Sequence, residues 1–348
     1  MPTFCRHNRF VERCPICSKT LPGRSPDTAA ASLRAKASGR ARSSGEGAQR
    51  RRARGEGVRV RREGRAEDDG YRSELVPGLR ASADALRLVE EIAFSSGRLL
   101  ALAAQPPGLY GEARTLAKED LERATWTCFL IAYLCPLEGE DPFAGIRLAL
   151  TGAPWELAPG KLPDLDGIPL GPRSSHEERR GAETLTAYRQ WVARGGSASV
   201  SAQSQPGEGS QAIAFTGDPA WSPARRFERV FERLALPGFA RMGRYELLLT
   251  LGRLGLYELL PDSLHLAGAR GLSSDDLTTL AAKRVFGIGD PLLLERRAVA
   301  LAQAVSVPVE ALDLALANWH SAQRATLGFP SETQDGGAFE RAGDALGL

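Results

Sequence analysis

Four residues near the start have types and spacing that could hold a metal ion. Cys5, His7, Cys14 and Cys17 read C-x-H-x6-C-x2-C. Zinc takes four thiolate or imidazole ligands in a tetrahedron, and the Cys14-Pro15-Ile16-Cys17 turn can present two thiolates together. Cys5 and His7 would close the site from the other arm. Four protein ligands leave no open coordination position, so the expected ion is structural Zn2+, and its binding would fold residues 1–23 without a large core. The alternative is a free tail with incidental cysteines. Cys128 and Cys135, seven apart in an apolar stretch, read as small buried hydrophobes.

A second constellation lies in SSDDLTTLAAKRVFGIGDPLLLERRAVALAQAVSVPVEALDLALANWHSA, residues 273–322. Ser273 can cap a helix whose inner face is Leu277, Leu280, Ala281 and Val285. Gly287-Ile288-Gly289 breaks it, and Pro291 suits the first turn of the next helix. The pattern is helix, short glycine hairpin, helix. Gly287 and Gly289 let backbone approach a partner closely, and amides at such a turn can bind a phosphate. The alternative is an ordinary helix–helix connection.

These groups need elements to position them. Residues 24–65 hold 13 Lys/Arg against 4 Asp/Glu, and 24–70 contain no Phe, Tyr or Trp. Such a stretch cannot bury enough apolar surface to offset its ordering entropy, so a disordered linker is expected over 24–75. It would serve as a passive spacer or as a salt-dependent DNA tether. From about 80 the pattern is helical, with Leu86, Val89, Ile92 and Ala93 on one face. Residues 117–135 form a strongly apolar helix that Pro136 stops, and 151–173 are Pro/Gly-rich loop. Further helices are expected at 176–194, 223–235, 243–256, 274–286, 291–305 and 308–322. A mainly α domain over 76–330 results, with lobes at 76–194 and 219–330, a flexible loop at 195–218 and a flexible tail at 331–348. The opening MPTFCRHNRF lacks the apolar core of an export signal, and no apolar run is long enough to span a bilayer. A cytoplasmic protein with reduced thiols and no membrane contact is therefore expected.

The hairpin resembles the helix-hairpin-helix of DNA glycosylases, with Phe286 where that family commonly has proline. TWTCFLIAYLCPLEG, 125–139, is similar to the apolar helix before the DNA-facing loop of that fold. Pro136, Leu137 and Glu138 stand where the family's Gln-containing loop would be, and no convincing catalytic lysine follows the hairpin. Three longer strings, MPTFCRH…ERCPICSKT, GRYELLLTLGRLGLYEL and AAKRVFGIGDPLLLERRA, resemble a narrower group, the third clade of the α-glutamyl/putrescinyl thymine pyrophosphorylase family.

This resemblance implies a two-lobed, glycosylase-like helical fold acting on modified thymine in DNA. It also implies a small amine co-substrate that displaces pyrophosphate from a hydroxymethyl-uracil base. The glycosylase resemblance places a catalytic carboxylate at Asp313, after Val307-Pro308, able to accept a proton or to stabilise positive charge. The anionic leaving group calls for cations, and Arg241, Arg244, Arg253, Lys283 and Arg284 are the candidates. A base in a duplex would have to be flipped out. Structural alternatives remain open: Asp313 as an early helix residue favoured by the dipole, Arg296 and Arg297 as surface residues, His320 and Trp319 as packing groups. Two other functions stay in view, cleavage of a glycosidic bond and a noncatalytic DNA-binding or defence adaptor. A pocket holding Asp313 and several arginines would favour an enzyme, and a filled cleft the adaptor.

Overall fold

The computed structural model describes residues 66–152, 154–156, 165, 167–195, 210–267, 276–287 and 289–348. The set Cys5, His7, Cys14 and Cys17 and the stretch 24–65 lie outside these residues, as do Ser273 and Ile288. Helix is the regular structure present among the described residues, and no strand occurs among them. In chain order the helices are α1 (Ser82–Ala104), α2 (Gly108–Leu116), α3 (Leu121–Leu134), α4 (Ala144–Gly152), α5 (Gly181–Ala193) and α6 (Gln211–Thr216). They continue as α7 (Pro223–Arg233), α8 (Arg241–Arg253), α9 (Leu277–Val285), α10 (Pro291–Ala304), α11 (Ala311–His320) and α12 (Gly336–Leu346).

Helix α3 is the centre of the fold. Every residue from Ala124 to Leu134 is buried. A helix apolar on all sides must be surrounded, and α2, α4 and α8 pack against it. Asp120 caps its start by accepting from the Arg123 amide at 3.0 Å. Trp126 stacks on Phe129 at 5.1 Å between centroids, and Phe129 on Tyr188 of α5 at 3.9 Å. Large side chains buried this fully stabilise the fold by about 1.5–3 kcal/mol each. Cys128 and Cys135 are free thiols in this core, and burial pushes both up to about 12.

Helix α1 is the second axis, contacted by α8, α11 and α12. Its buried stripe runs through Ala85, Leu88, Val89, Ile92 and Leu99, while Leu86 is 43% exposed. Of the stripe expected from sequence, Val89, Ile92 and Ala93 are buried and Leu86 is not, Ala85 being buried in its place. Residues Glu63–Leu348 cluster as one unit.

Three expectations about flexible segments change. The tail at 331–348 carries α12, which buries Ala338, Ala342 and Leu346 against α1. Within 195–218, Gln211–Thr216 forms α6, with Ala214 and Phe215 buried. The linker expected to reach 75 docks earlier, since Tyr71 donates its hydroxyl to the Leu346 carbonyl at 2.7 Å. In each case a few buried groups offset the ordering entropy that local composition suggested would win. No described helix is long and apolar enough to cross a membrane.

Candidate functional site

The site begins where α3 stops. Pro136 cannot continue the helix, so the last carbonyls of α3 need donors from elsewhere. The loop at 171–175 supplies them. Gly171 donates to Cys135 O at 3.1 Å and Ser175 to Tyr133 O at 2.9 Å. Arg173, between them, is carried into the interior and is 7% exposed. Its Nη2 donates to Asp313 Oδ2 at 2.9 Å.

Asp313 lies in the first turn of α11, where the helix dipole favours an anion, and is 2% exposed. Its other oxygen, Oδ1, accepts from Arg241 Nη2 at 2.5 Å. Thr278 Oγ1 lies 3.1 Å from that same oxygen and 3.1 Å from the Asp313 carbonyl. Burial alone would raise the Asp313 carboxyl, but Arg241 and Arg173 together outweigh it and hold the group below its ordinary value.

Arg241 is the first residue of α8, a place where a cation opposes the helix dipole. Carboxylates on two other helices reverse that preference. Its Nε donates to Asp276 Oδ1 at 2.8 Å, its Nη1 to the Leu264 carbonyl at 2.8 Å, and its Nη2 to Asp313. Burial would lower its pKa, yet Asp313 and Asp276 raise it overall. Asp276 does double duty. It caps α9 by accepting from the Thr279 amide at 3.0 Å and it holds Arg241. The expected cap at Ser273 is thus taken by Asp276. The expected inner face of α9 also shifts, because Thr278 and Thr279 are buried toward the carboxylates while Leu277 and Leu280 are half-buried.

A second buried pair, Arg98 of α1 with Glu246 of α8, lies nearby, and Thr250 Oγ1 donates to Glu246 at 3.1 Å. Between the two centres is a cavity of about 10 Å3, lined by Tyr110, Cys135, Arg173, Gly243, Glu246 and Leu327 among others. That is room for one water molecule. Arg173 Nη1 and Arg98 Nε have no hydrogen-bond partner among the described residues. Two of the lining residues, Cys135 and Leu327, hold positive φ values of 61° and 55°. Such conformations cost about 1–3 kcal/mol each outside glycine and gather at functional sites.

The other residues expected from sequence are placed as follows. Arg244 donates to the Phe231 carbonyl at 3.0 Å and stacks over the Phe231 ring at 4.4 Å; burial and then Arg241 pull it down to about 10. Arg253 pairs with Glu310. Arg241, Arg244 and Arg253 are therefore bound to the protein's own groups. Lys283 and Arg284 are exposed in the last turn of α9. Gly287 has φ +82° and follows directly, and Arg297 donates to the Phe286 carbonyl. At the start of α10 the Leu293 amide already donates to the Asp290 carboxylate at 3.0 Å.

Sequence reasoning missed Arg173, Glu246, Asp276, Thr278 and Arg98. Asp276 alone carried a local signal, an acidic residue just before an apolar helix. The others sit in loops or mid-helix with no periodic mark.

What fold and site define together is a mainly α-helical protein with a buried, charge-paired centre beside a small cavity. Residues 173–327 match the family model described as alpha-glutamyl/putrescinyl thymine pyrophosphorylase clade 3, and over this segment the chain is similar to that family. No curated protein and no solved structure matches the chain. Arg173, Arg241, Glu246, Asp276, Thr278 and Asp313 all fall within the matched segment.

Proposed function

We propose that the protein acts on modified thymine in DNA, replacing pyrophosphate on a hydroxymethyl-uracil base with an amine. The observation that carries this reading is the coincidence of the family-matched segment with the buried centre. In the exchange the exocyclic carbon–oxygen bond to pyrophosphate breaks, a carbon–nitrogen bond forms, and the amine loses a proton to solvent. The electron pair leaves with pyrophosphate. Asp313, ionised and gripped at both oxygens, serves best as the fixed anion that aims Arg173 and Arg241. A carboxylate so paired is a weak base, so in this reading its contribution is electrostatic. Arg173, with Nη1 unengaged among the described residues, is the cation left to meet the substrate. A thymine does not fit a one-water cavity, so the site must widen to admit it.

Mass spectrometry tests this directly. The full chain is incubated with duplex DNA bearing the pyrophosphorylated base, with putrescine or glutamate as amine. The expected products are the amine-substituted nucleoside and free pyrophosphate in an uncut strand. A released free base would instead assign glycosidic cleavage. An unchanged nucleoside would favour the second reading, a noncatalytic DNA-binding protein, for which the narrowness of the cavity is the specific support.

The zinc knuckle belongs to the same reading. The donor set Cys5, His7, Cys14 and Cys17 suits a closed structural site. Elemental analysis should find about one zinc per chain, and Cys14→Ser should lower it. Purified wild-type chain without zinc would remove the knuckle from the account.

A further inference from the structure

We infer that Glu138 and Thr326 form a clasp that closes the cavity beside Arg173, and that its opening is the way in for a ligand of that cavity. The inference concerns access alone and does not depend on the reaction proposed above. One loop, 135–143, runs from α3 to α4, and another, 321–335, runs from α11 to α12. Each supplies part of the cavity wall, Cys135 and Pro136 from the first and Leu327 from the second. Both oxygens of the Glu138 carboxylate are committed to one residue of the other loop. Oε1 accepts from the Thr326 amide at 2.8 Å and Oε2 from the Thr326 hydroxyl at 2.7 Å. Among the described residues these are the hydrogen bonds that join the two loops. Thr326 adjoins Leu327, and Glu138 lies two residues past Pro136, so the clasp sits directly outside the wall.

The clasp and the wall behind it differ in how firmly they are held. Both clasp bonds are exposed, and water competes for exposed groups, so they open more readily than buried packing. Behind them, Cys135 and Leu327 have φ values of 61° and 55°, which a residue with a side chain keeps only where its surroundings enforce it. The Cys135 carbonyl is fixed by the Gly171 amide at 3.1 Å, and the Leu327 carbonyl by the Tyr110 hydroxyl at 3.1 Å. On the other side of Thr326, Asn318 of α11 anchors Ala325 through both its backbone groups, at 3.0 and 3.1 Å. Thr326 and Leu327 are therefore the part that swings once Glu138 lets go. Phe143 lies against Gly328, an apolar contact that substitution of Glu138 leaves in place.

Two native thiols make the opening measurable. Cys135 is buried in the cavity wall, and Cys128 is buried within α3 away from the cavity. The full chain is treated with N-ethylmaleimide under native conditions, and each cysteine is followed separately by peptide mass spectrometry. In the wild type Cys135 should be labelled faster than Cys128. Glu138→Ala loses both acceptors and should speed Cys135 labelling about tenfold, with Cys128 unchanged. The Glu138 charge also raises the Cys135 thiol, so a control without that charge is needed. Glu138→Gln supplies it, because its amide can accept from the Thr326 N–H and donate to the Thr326 hydroxyl. That variant should return Cys135 close to the wild-type rate. Wild-type labelling of Cys135 in Glu138→Ala, equal acceleration of Cys135 and Cys128, or equal acceleration by Ala and Gln would each overturn the clasp.

Discussion

Asp313→Asn should destabilise the folded chain by about 3–5 kcal/mol, the range seen when one partner of a buried ion pair is removed. The substitution keeps the volume but takes the charge that Arg173 and Arg241 share. It also puts an amide donor against guanidinium donors. Asp276 still answers Arg241, so Arg173 bears most of the loss. Against a typical total of about 5–15 kcal/mol, the shift in urea midpoint would be large. The same pair should make the wild type acid-sensitive. The folded carboxyl titrates below its unfolded value, so its contribution is fully present above about pH 4 and is lost as pH falls through the folded value. Asp313→Asn should lack that part of the acid dependence. A variant within about 1 kcal/mol of wild type would show that the pairs are not what holds this region.

Arg173→Met should do the opposite, leaving a folded protein with little turnover. Asp313 keeps Arg241 and Thr278 as partners, so the lost pair costs less than removal of the carboxylate itself. Methionine retains the apolar stem that packs along the cavity. What disappears is the cation assigned to the substrate, and removing one such group from an enclosed site lowers kcat by a factor of about 10²–10³. The measurement is nucleoside turnover by mass spectrometry, with urea melts on the same preparation. A stable Arg173→Met protein with wild-type turnover would take Arg173 out of the chemistry and leave it a structural partner of Asp313.

Much of the helical framework was legible in the residues themselves. The apolar run before Pro136 marks α3, because a helix hydrophobic on every side has to be buried. Gly287 and Pro291 mark the break between α9 and α10, one by its positive φ and the other by its fixed φ at the first turn. Trp319, expected to pack, is buried and donates its indole N–H to the Asp84 carbonyl at 2.9 Å. Where alanine rather than leucine carries a buried face, the local signal fails. Helix α12 buries Ala338 and Ala342, residues whose apolar contribution is small, and it was read as a tail.

The centre around Asp313 belongs to the tertiary structure. By themselves, the residues determined that a carboxylate follows the hairpin in an apolar helix and that arginines lie upstream. Which arginine meets it was decided by topology. Arg173 is 140 positions from Asp313, Arg241 is 72 and Thr278 is 35. No periodicity links residues so far apart, since helical pattern reports only the face a side chain shares with neighbours three and four positions away. Packing α8, α9 and α11 together excluded water from the charges, and low dielectric made their mutual pairing obligatory. Five arginine and lysine candidates looked equivalent in the sequence. Burial separated Arg241, tied to two carboxylates, from Lys283 and Arg284, left at the surface beside the hairpin.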